Sequence, residues 1–213
     1  TALITGAGGL LGPKHAEALI ECGAYVVMTD HHEERAVEKA AILNDKYGKK
    51  VAAANYMDVT NKKWVEDVFS RYPKVKKGGG LKPDSRFETM SEDYWAEGIN
   101  AAINGTFICS QVAANKMLQA KRPGVILNIS SDLGVIAPDQ RIYKKNKKPI
   151  TYSAAKFGIV GITKYLATYY AEKNIRVNCI SPGGIYTNQP KDFVDRLTNL
   201  IPMGRMAKKD DYK

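Results

Sequence analysis

Ala2-Leu-Ile-Thr5 is a short apolar run that opens directly into Gly6-Ala-Gly-Gly-Leu-Leu-Gly12, and this junction limits the chain to a narrow set of folds. Ala16, Leu19 and Ile20 recur at helical spacing before Gly23 stops the helix, so the opening reads as strand, glycine turn, helix. Tyr25 to Asp30 is a second apolar strand ending in an acid; a charged helix from Glu33 to about Tyr47 and a third strand, Val51 to Asp58, follow. Parallel strands need a long crossover, usually a helix. The alternation therefore predicts an α/β fold, a parallel sheet covered by helices on both faces with right-handed connections.

Asn61 to Tyr72 reads as another helix, with Trp64, Val65, Val68 and Phe69 on its apolar face. The pattern then fails, because Pro73 to Lys82 is lysine and glycine where a buried strand is due. Ser91, with Glu92 and Asp93 in the first turn, starts a long helical stretch to about Gln119. Gly124 to Ser131 is a strand, the helix that contains Tyr152 runs to about Glu172, Ile175 to Ser181 is a further strand, and Asp192 to Ile201 is a last helix. At 213 residues a single domain is the default. No apolar run approaches the ~20 residues of a bilayer-spanning helix, so the expected location is cytoplasmic, with no membrane partner.

Cys22, Cys109 and Cys179 lie far apart in apolar surroundings and read as reduced core thiols. His31 and His32 read as the rim of a loop, and no metal site is expected. The net charge of +10 is concentrated in Lys74 to Lys82 and Lys144 to Lys148. Solvated loops account for both, and such a surface also attracts anionic substrates. No aromatic interleaving or binding motif supports a nucleic-acid partner.

Two constellations carry chemistry. Glycines in the first turn let backbone amides approach a pyrophosphate at a helix N-terminus, and Asp30 closes the next strand 18 residues after Gly12. An acid there accepts hydrogen bonds from the adenosine ribose and repels a 2′-phosphate, which selects NAD over NADP; capping the following helix is its plainer role. Tyr152 and Lys156, four apart, share one helix face. A phenol beside a fixed ammonium gives up its proton more readily than its reference pKa near ~10 implies, which makes a proton donor and acceptor usable near neutrality.

Taken in order, Thr5-Gly6-Ala-Gly-Gly-Leu-Leu-Gly12, Asp58-Val-Thr60, Asn128-Ile-Ser-Ser131, Tyr152-Ser-Ala-Ala-Lys156, and Ile175 to Gly183 with Thr187 resemble the short-chain dehydrogenase/reductase family across nearly the whole chain. The resemblance implies a Rossmann fold, a doubly wound three-layer sheet. Tyr152 is then the general acid in reduction and base in oxidation. Lys156 holds the nicotinamide ribose and assists Tyr152, and Ser131 hydrogen-bonds the substrate oxygen, with Ser130 as the fallback. Gly6, Gly8, Gly9, Leu11 and Gly12 line the pyrophosphate turn, Asp58 and Val59 meet adenine, and Pro182, Gly183, Ile185 and Thr187 meet the carboxamide end. Asp132, Arg141 and Tyr186 fall where substrate enters. A homodimer or homotetramer is implied, with a small polar or sugar-like molecule as substrate.

Four departures qualify the resemblance. Leu10 gives the glycine turn the spacing of the branch that modifies nucleotide sugars, so a nucleotide-sugar epimerase or dehydratase stays open as an alternative. Ala102 stands where an asparagine commonly holds a relay water, which also keeps open a non-catalytic dinucleotide-binding regulator. Ser131 and Tyr152 are 21 residues apart, and the longer loop carries Asp139, Gln140, Arg141 and the lysine cluster. Lastly, the strand that usually bears Asn-Asn-Ala-Gly is missing between Tyr72 and Pro73; since a hole in mid-sheet leaves backbone groups unpaired, the chain is expected to be an incomplete record of a longer protein, internally and at both ends.

Overall fold

The computed structural model describes residues 1–70, 86–144 and 147–213. They fall into two compact units, one of residues 1–70 with 208–213 and one of residues 86–207. The junction of Tyr72 and Pro73, where the missing strand is inferred, lies outside the described residues.

In the first unit the alternation is realised as β1 (Ala2–Thr5), α1 (Gly12–Glu21), β2 (Val26–Asp30), α2 (Glu33–Lys46), β3 (Ala52–Tyr56) and α3 (Lys62–Ser70). The three strands are parallel in the order β1-β2-β3, with Ala2 opposite Val26 and Val26 opposite Ala52. Being central, β2 is buried at all five positions, and this explains its continuous Val-Val-Met-Thr-Asp run. Thr29 meets the requirement of burial by donating its hydroxyl to the Ile4 carbonyl. Ala16 and Ile20 of α1 and Ala36, Ala40 and Leu43 of α2 pack with Val26, Met28 and Ala52 in one core.

Asn44 fastens α2 to β3. Its Oδ1 accepts from the amides of Val51 and Ala52 and its Nδ2 donates to the Ala52 carbonyl, at 2.8 to 3.0 Å. Glu17, 5% exposed, is met by the ammonium groups of Lys46, Lys14 and Lys213. The Lys46 hydrogen bond outweighs the burial and holds the Glu17 carboxyl below its ordinary range.

The second unit contains α4 (Glu92–Ile99), α5 (Gly105–Gln119), β4 (Gly124–Ile129), α6 (Ile150–Tyr169), β5 (Ile175–Ile180) and α7 (Lys191–Thr198). Ser91 caps α4 as expected, its hydroxyl accepting from the Tyr94 amide at 3.2 Å. The single helix expected from Ser91 to Gln119 is corrected: residues Asn100–Asn104 form a π-helical turn between α4 and α5. Asn104 donates to Asn100 across that turn at 2.8 Å, and Thr106 donates to the Ala102 carbonyl at 2.7 Å. β4 and β5 pair in parallel, Gly124 opposite Ile175, with α6 as their crossover. Ala114, Ile126, Tyr170, Ile175 and Val177 form the core beneath them.

A second correction concerns the cysteines. Cys109 and Cys179 are partly buried, and burial pushes the Cys109 thiol up to about 12, but Cys22 is exposed at the C-terminal end of α1, where the helix turns into solvent at Gly23.

Candidate active site

The first unit builds a tight glycine turn between β1 and α1. Gly6 takes φ +62°, a conformation that costs other residues a clash, and its carbonyl accepts from Gly9 at 3.1 Å. The Ala7 amide is tied to the Thr29 carbonyl at 2.9 Å, so the turn is anchored on β2. Gly8 lies so close to α2 that a Cβ there would sit 2.6 Å from the Arg35 Cβ, and one at Gly12 would strike the Ala7 backbone. Leu11 caps α1 with no side-chain hydrogen bond, so no side chain of the cap claims the amides at the start of that helix. These are the features of a cradle from which side chains have been removed.

Asp30 stands at the end of β2 beside that turn. Its Oδ2 accepts from the Gly8 amide at 3.0 Å and its Oδ1 from the His32 amide at 2.9 Å, while His31 lies 3.3 Å away. Asp30 thus ties the glycine turn to the loop before α2; the residue capping that helix is His32, without a side-chain bond. Asp58 accepts from the Thr60 amide and hydroxyl through one oxygen, which fixes the Asp58-Val59-Thr60 turn just beyond β3.

In the second unit the strand ends β4 and β5 are stitched together past their last residues. The Ser130 amide donates to the Ile180 carbonyl at 2.8 Å and the Asp132 amide to the Pro182 carbonyl at 2.9 Å. Ser130 is buried and donates its hydroxyl to the Lys156 carbonyl at 2.8 Å, a structural bond between β4 and α6. Gly134 is required there, since a Cβ would run into the Ser130 hydroxyl and the Lys156 backbone. Ser131, also buried, is the next residue outward; its hydroxyl donates to Asp132 Oδ1 at 2.7 Å and accepts from the Leu133 amide at 3.2 Å.

Tyr152 lies in the first turn of α6 and Lys156 one turn on, with the ammonium 5.8 Å from the centre of the phenol ring. The same ammonium donates to the Ile129 carbonyl at the end of β4, 3.0 Å away, so the helix pair and the Ser131 turn share one strand end. Burial pushes the Lys156 ammonium below its usual range, and the charge of Lys148 pushes the same way.

The remaining expected residues of the second unit make local contacts of their own. Ile185 bridges Ala207 and the Tyr186 amide donates to the Ala207 carbonyl at 2.9 Å, so Pro182 to Thr187 is a pinned loop. The Thr187 amide donates to Gln189 Oε1 at 2.7 Å. Asp132 Oδ2 lies 3.5 Å from where a Gly183 Cβ would be. Arg141 is held by Asp139 through three hydrogen bonds, its side chain 89% exposed, and the guanidinium keeps the Asp139 carboxyl down at about 2.

Sequence reasoning missed Lys148. Its ammonium lies 3.7 Å above the centre of the Tyr152 ring, closer than that of Lys156. A signal is present in the even spacing by four of Lys148, Tyr152 and Lys156, but the run of charge from Lys144 to Lys148 masks it.

The parallel strands with intervening helices define a Rossmann-type α/β protein, in which Ser131 just beyond β4 and Tyr152 and Lys156 in the first turns of α6 gather at one strand end. Residues 1–197 match the family of short chain dehydrogenases, and the chain belongs to it. It is 32% identical to an NAD-dependent glycerol dehydrogenase of Listeria innocua, over 97% of this chain and 80% of that one. To the human (3R)-3-hydroxyacyl-CoA dehydrogenase it is 31% identical, over 99% of this chain and 84% of that one. A short chain dehydrogenase of Leptospira borgpetersenii, solved with bound NAD+, superposes with a TM-score of 0.81 at 33% identity, covering 99% of this chain and 81% of that one.

Proposed function

We propose that the protein is an NAD-dependent dehydrogenase that interconverts a secondary alcohol and a carbonyl on a polar, sugar-like substrate. The observation that carries this reading is the convergence on one strand end: Lys156 bonded to the Ile129 carbonyl, Ser131 two residues beyond it, and Tyr152 one helical turn from Lys156. NAD, when bound, takes or supplies the hydride. Tyr152 holds the proton at its phenol oxygen and passes it to or from the substrate oxygen, on which charge develops. Ser131 orients that oxygen by turning its hydroxyl from Asp132. Lys156 fixes the ribose and the local field around the phenol. In the first unit the glycine turn receives the pyrophosphate, and Asp30 the adenosine ribose, where its charge disfavours a 2′-phosphate.

The test is nicotinamide absorbance with a panel of polyols, hydroxy acids and ketones. Tyr152→Phe is expected to lower kcat by about 10²- to 10⁴-fold with the cofactor still bound. Equal turnover by both proteins overturns the assignment. We further propose a cytoplasmic homodimer or homotetramer. Phe107 of α5 and Phe157, Tyr165 and Tyr169 of α6 are exposed and supply apolar surface for it, and among the described residues no helix is long and apolar enough to cross a membrane. Light scattering of the purified protein checks the assembly; a monomer at micromolar concentration refutes it.

A further inference from the structure

The loop that separates Ser131 from Tyr152 carries several cations, and among the described ones the structure treats one differently from the others. Arg141 is bound to Asp139, Lys144 is paired with Asp192 at 2.5 Å, and Lys147 donates to the Gln140 carbonyl at 3.2 Å. All three are satisfied at the surface. Lys148 is partly buried, and among the described residues its ammonium has neither an ion pair nor a hydrogen bond; what it has is the face of Tyr152, 3.7 Å from the ring centre.

Its position is built. The side chain of Gln140 clasps the Lys148 backbone from both sides, Oε1 accepting from the amide at 2.9 Å and Nε2 donating to the carbonyl at 3.0 Å. Pro149 follows and α6 begins at Ile150, so little backbone freedom remains between the clasp and Tyr152. The charged and titratable groups around it are Asp132, Tyr152 and Lys156. Asp132 is the sole carboxylate of that set, and one of its oxygens is already taken by the Ser131 hydroxyl and the Leu133 amide, the latter at 2.7 Å. Burial drives the Lys148 ammonium below its usual range, as expected of a cation short of partners. Two ammonium groups are thus held around one phenol, where each weakens the other. An arrangement of this kind is relieved by an anion.

We propose that Lys148 is the specificity-determining cation of the substrate site, and that the substrate carries a carboxylate or phosphate close to the carbon whose oxygen Tyr152 serves. The inference rests on the dehydrogenase reading above and narrows its substrate class from polar to anionic. A charge-assisted contact in a partly desolvated site discriminates strongly against a neutral analogue, because without the anion the ammonium stays unpaired.

The test uses pairs in which the anionic group is masked or removed: 3-hydroxybutyrate with its methyl ester, glycerate with glyceramide, and sorbitol 6-phosphate with sorbitol. In at least one pair the wild-type kcat/KM is expected to favour the anion by about 10- to 100-fold, the range of one hydrogen bond to a charged group. Lys148→Met should collapse that ratio toward one, mainly through KM of the anion. Lys148→Arg should restore most of it, which a merely structural role would not explain. The carboxylate and phosphate pairs say which anion is selected. A wild-type enzyme without preference in any pair, or a preference unchanged in Lys148→Met, overturns the proposal. Calorimetric titration of the same pairs, in the presence of NAD, reads the preference without turnover. Lys148-dependent binding of the anion in the absence of any turnover would defeat the dehydrogenase reading and leave the anion site standing; turnover without charge preference would do the reverse.

Discussion

At the scale of single residues, the site is governed by who holds which oxygen. Asp30 spends both carboxylate oxygens on amides, those of Gly8 and His32. If Asp30 sets the proposed preference for NAD over NADP, Asp30→Ala should relax it by at least about 10-fold, as repulsion of the 2′-phosphate is lost. It should also cost roughly 1–3 kcal/mol of stability from the freed Gly8 amide, read by urea denaturation. Ser131 donates to Asp132, so Asp132→Asn, which weakens that bond, should change kcat more than KM if the serine must turn to reach substrate. The placement of Tyr152, Lys156 and the Ser130-Ser131 strand end, though not their roles, was legible because each lies in a motif whose spacing the fold imposes. Lys148 was not, because its place depends on Gln140, eight residues away through a loop whose path no periodicity encodes.

At the scale of elements, the strands and helices of both units were legible within a residue or two at most ends, since apolar periodicity is the direct image of burial. The all-buried β2 and the capped start of α4 are the clearest cases. The π turn was not legible: Asn-Ala-Ala-Ile-Asn has nothing in its composition that separates an i→i+5 turn from an α-helical one. Side-chain fasteners escaped for the same reason as Lys148. Asn44 makes three hydrogen bonds from α2 to the start of β3, so Asn44→Ala should destabilise the first unit by about 2–4 kcal/mol, measured as a lowered urea midpoint without loss of the Tyr152 site. Glu17 behaves similarly through charge. Its folded pKa lies below the ordinary carboxylate value, so its contribution is present above that value and lost as pH falls through the lower, folded one. The stability gap between wild type and Glu17→Gln should be full at pH 7 and shrink on acidification below about 4.5, the reference carboxylate range.

At the scale of the molecule, the strand that the alternation calls for after α3 falls outside the described residues. We propose that further residues lie between Tyr72 and Pro73, where the alternation calls for a strand; sequencing the coding DNA across those two codons decides it, and contiguous codons refute it. The packing of the helices was hidden at that level. Gly98 faces Thr151, where an added Cβ would approach to 3.1 Å, and Ile103 reaches over Gly158, where a Cβ would meet its Cδ1 at 2.7 Å. These two contacts on α6 come from residues five apart. In an unbroken α-helix, at about 100° per residue, they would point roughly 140° away from each other, and α6 could meet only one of them. The π turn takes up that angle, so a single-residue deletion within Asn100–Asn104 should throw α4 out of phase with α5 and strip one end of α6, the end that bears Tyr152, of its neighbour.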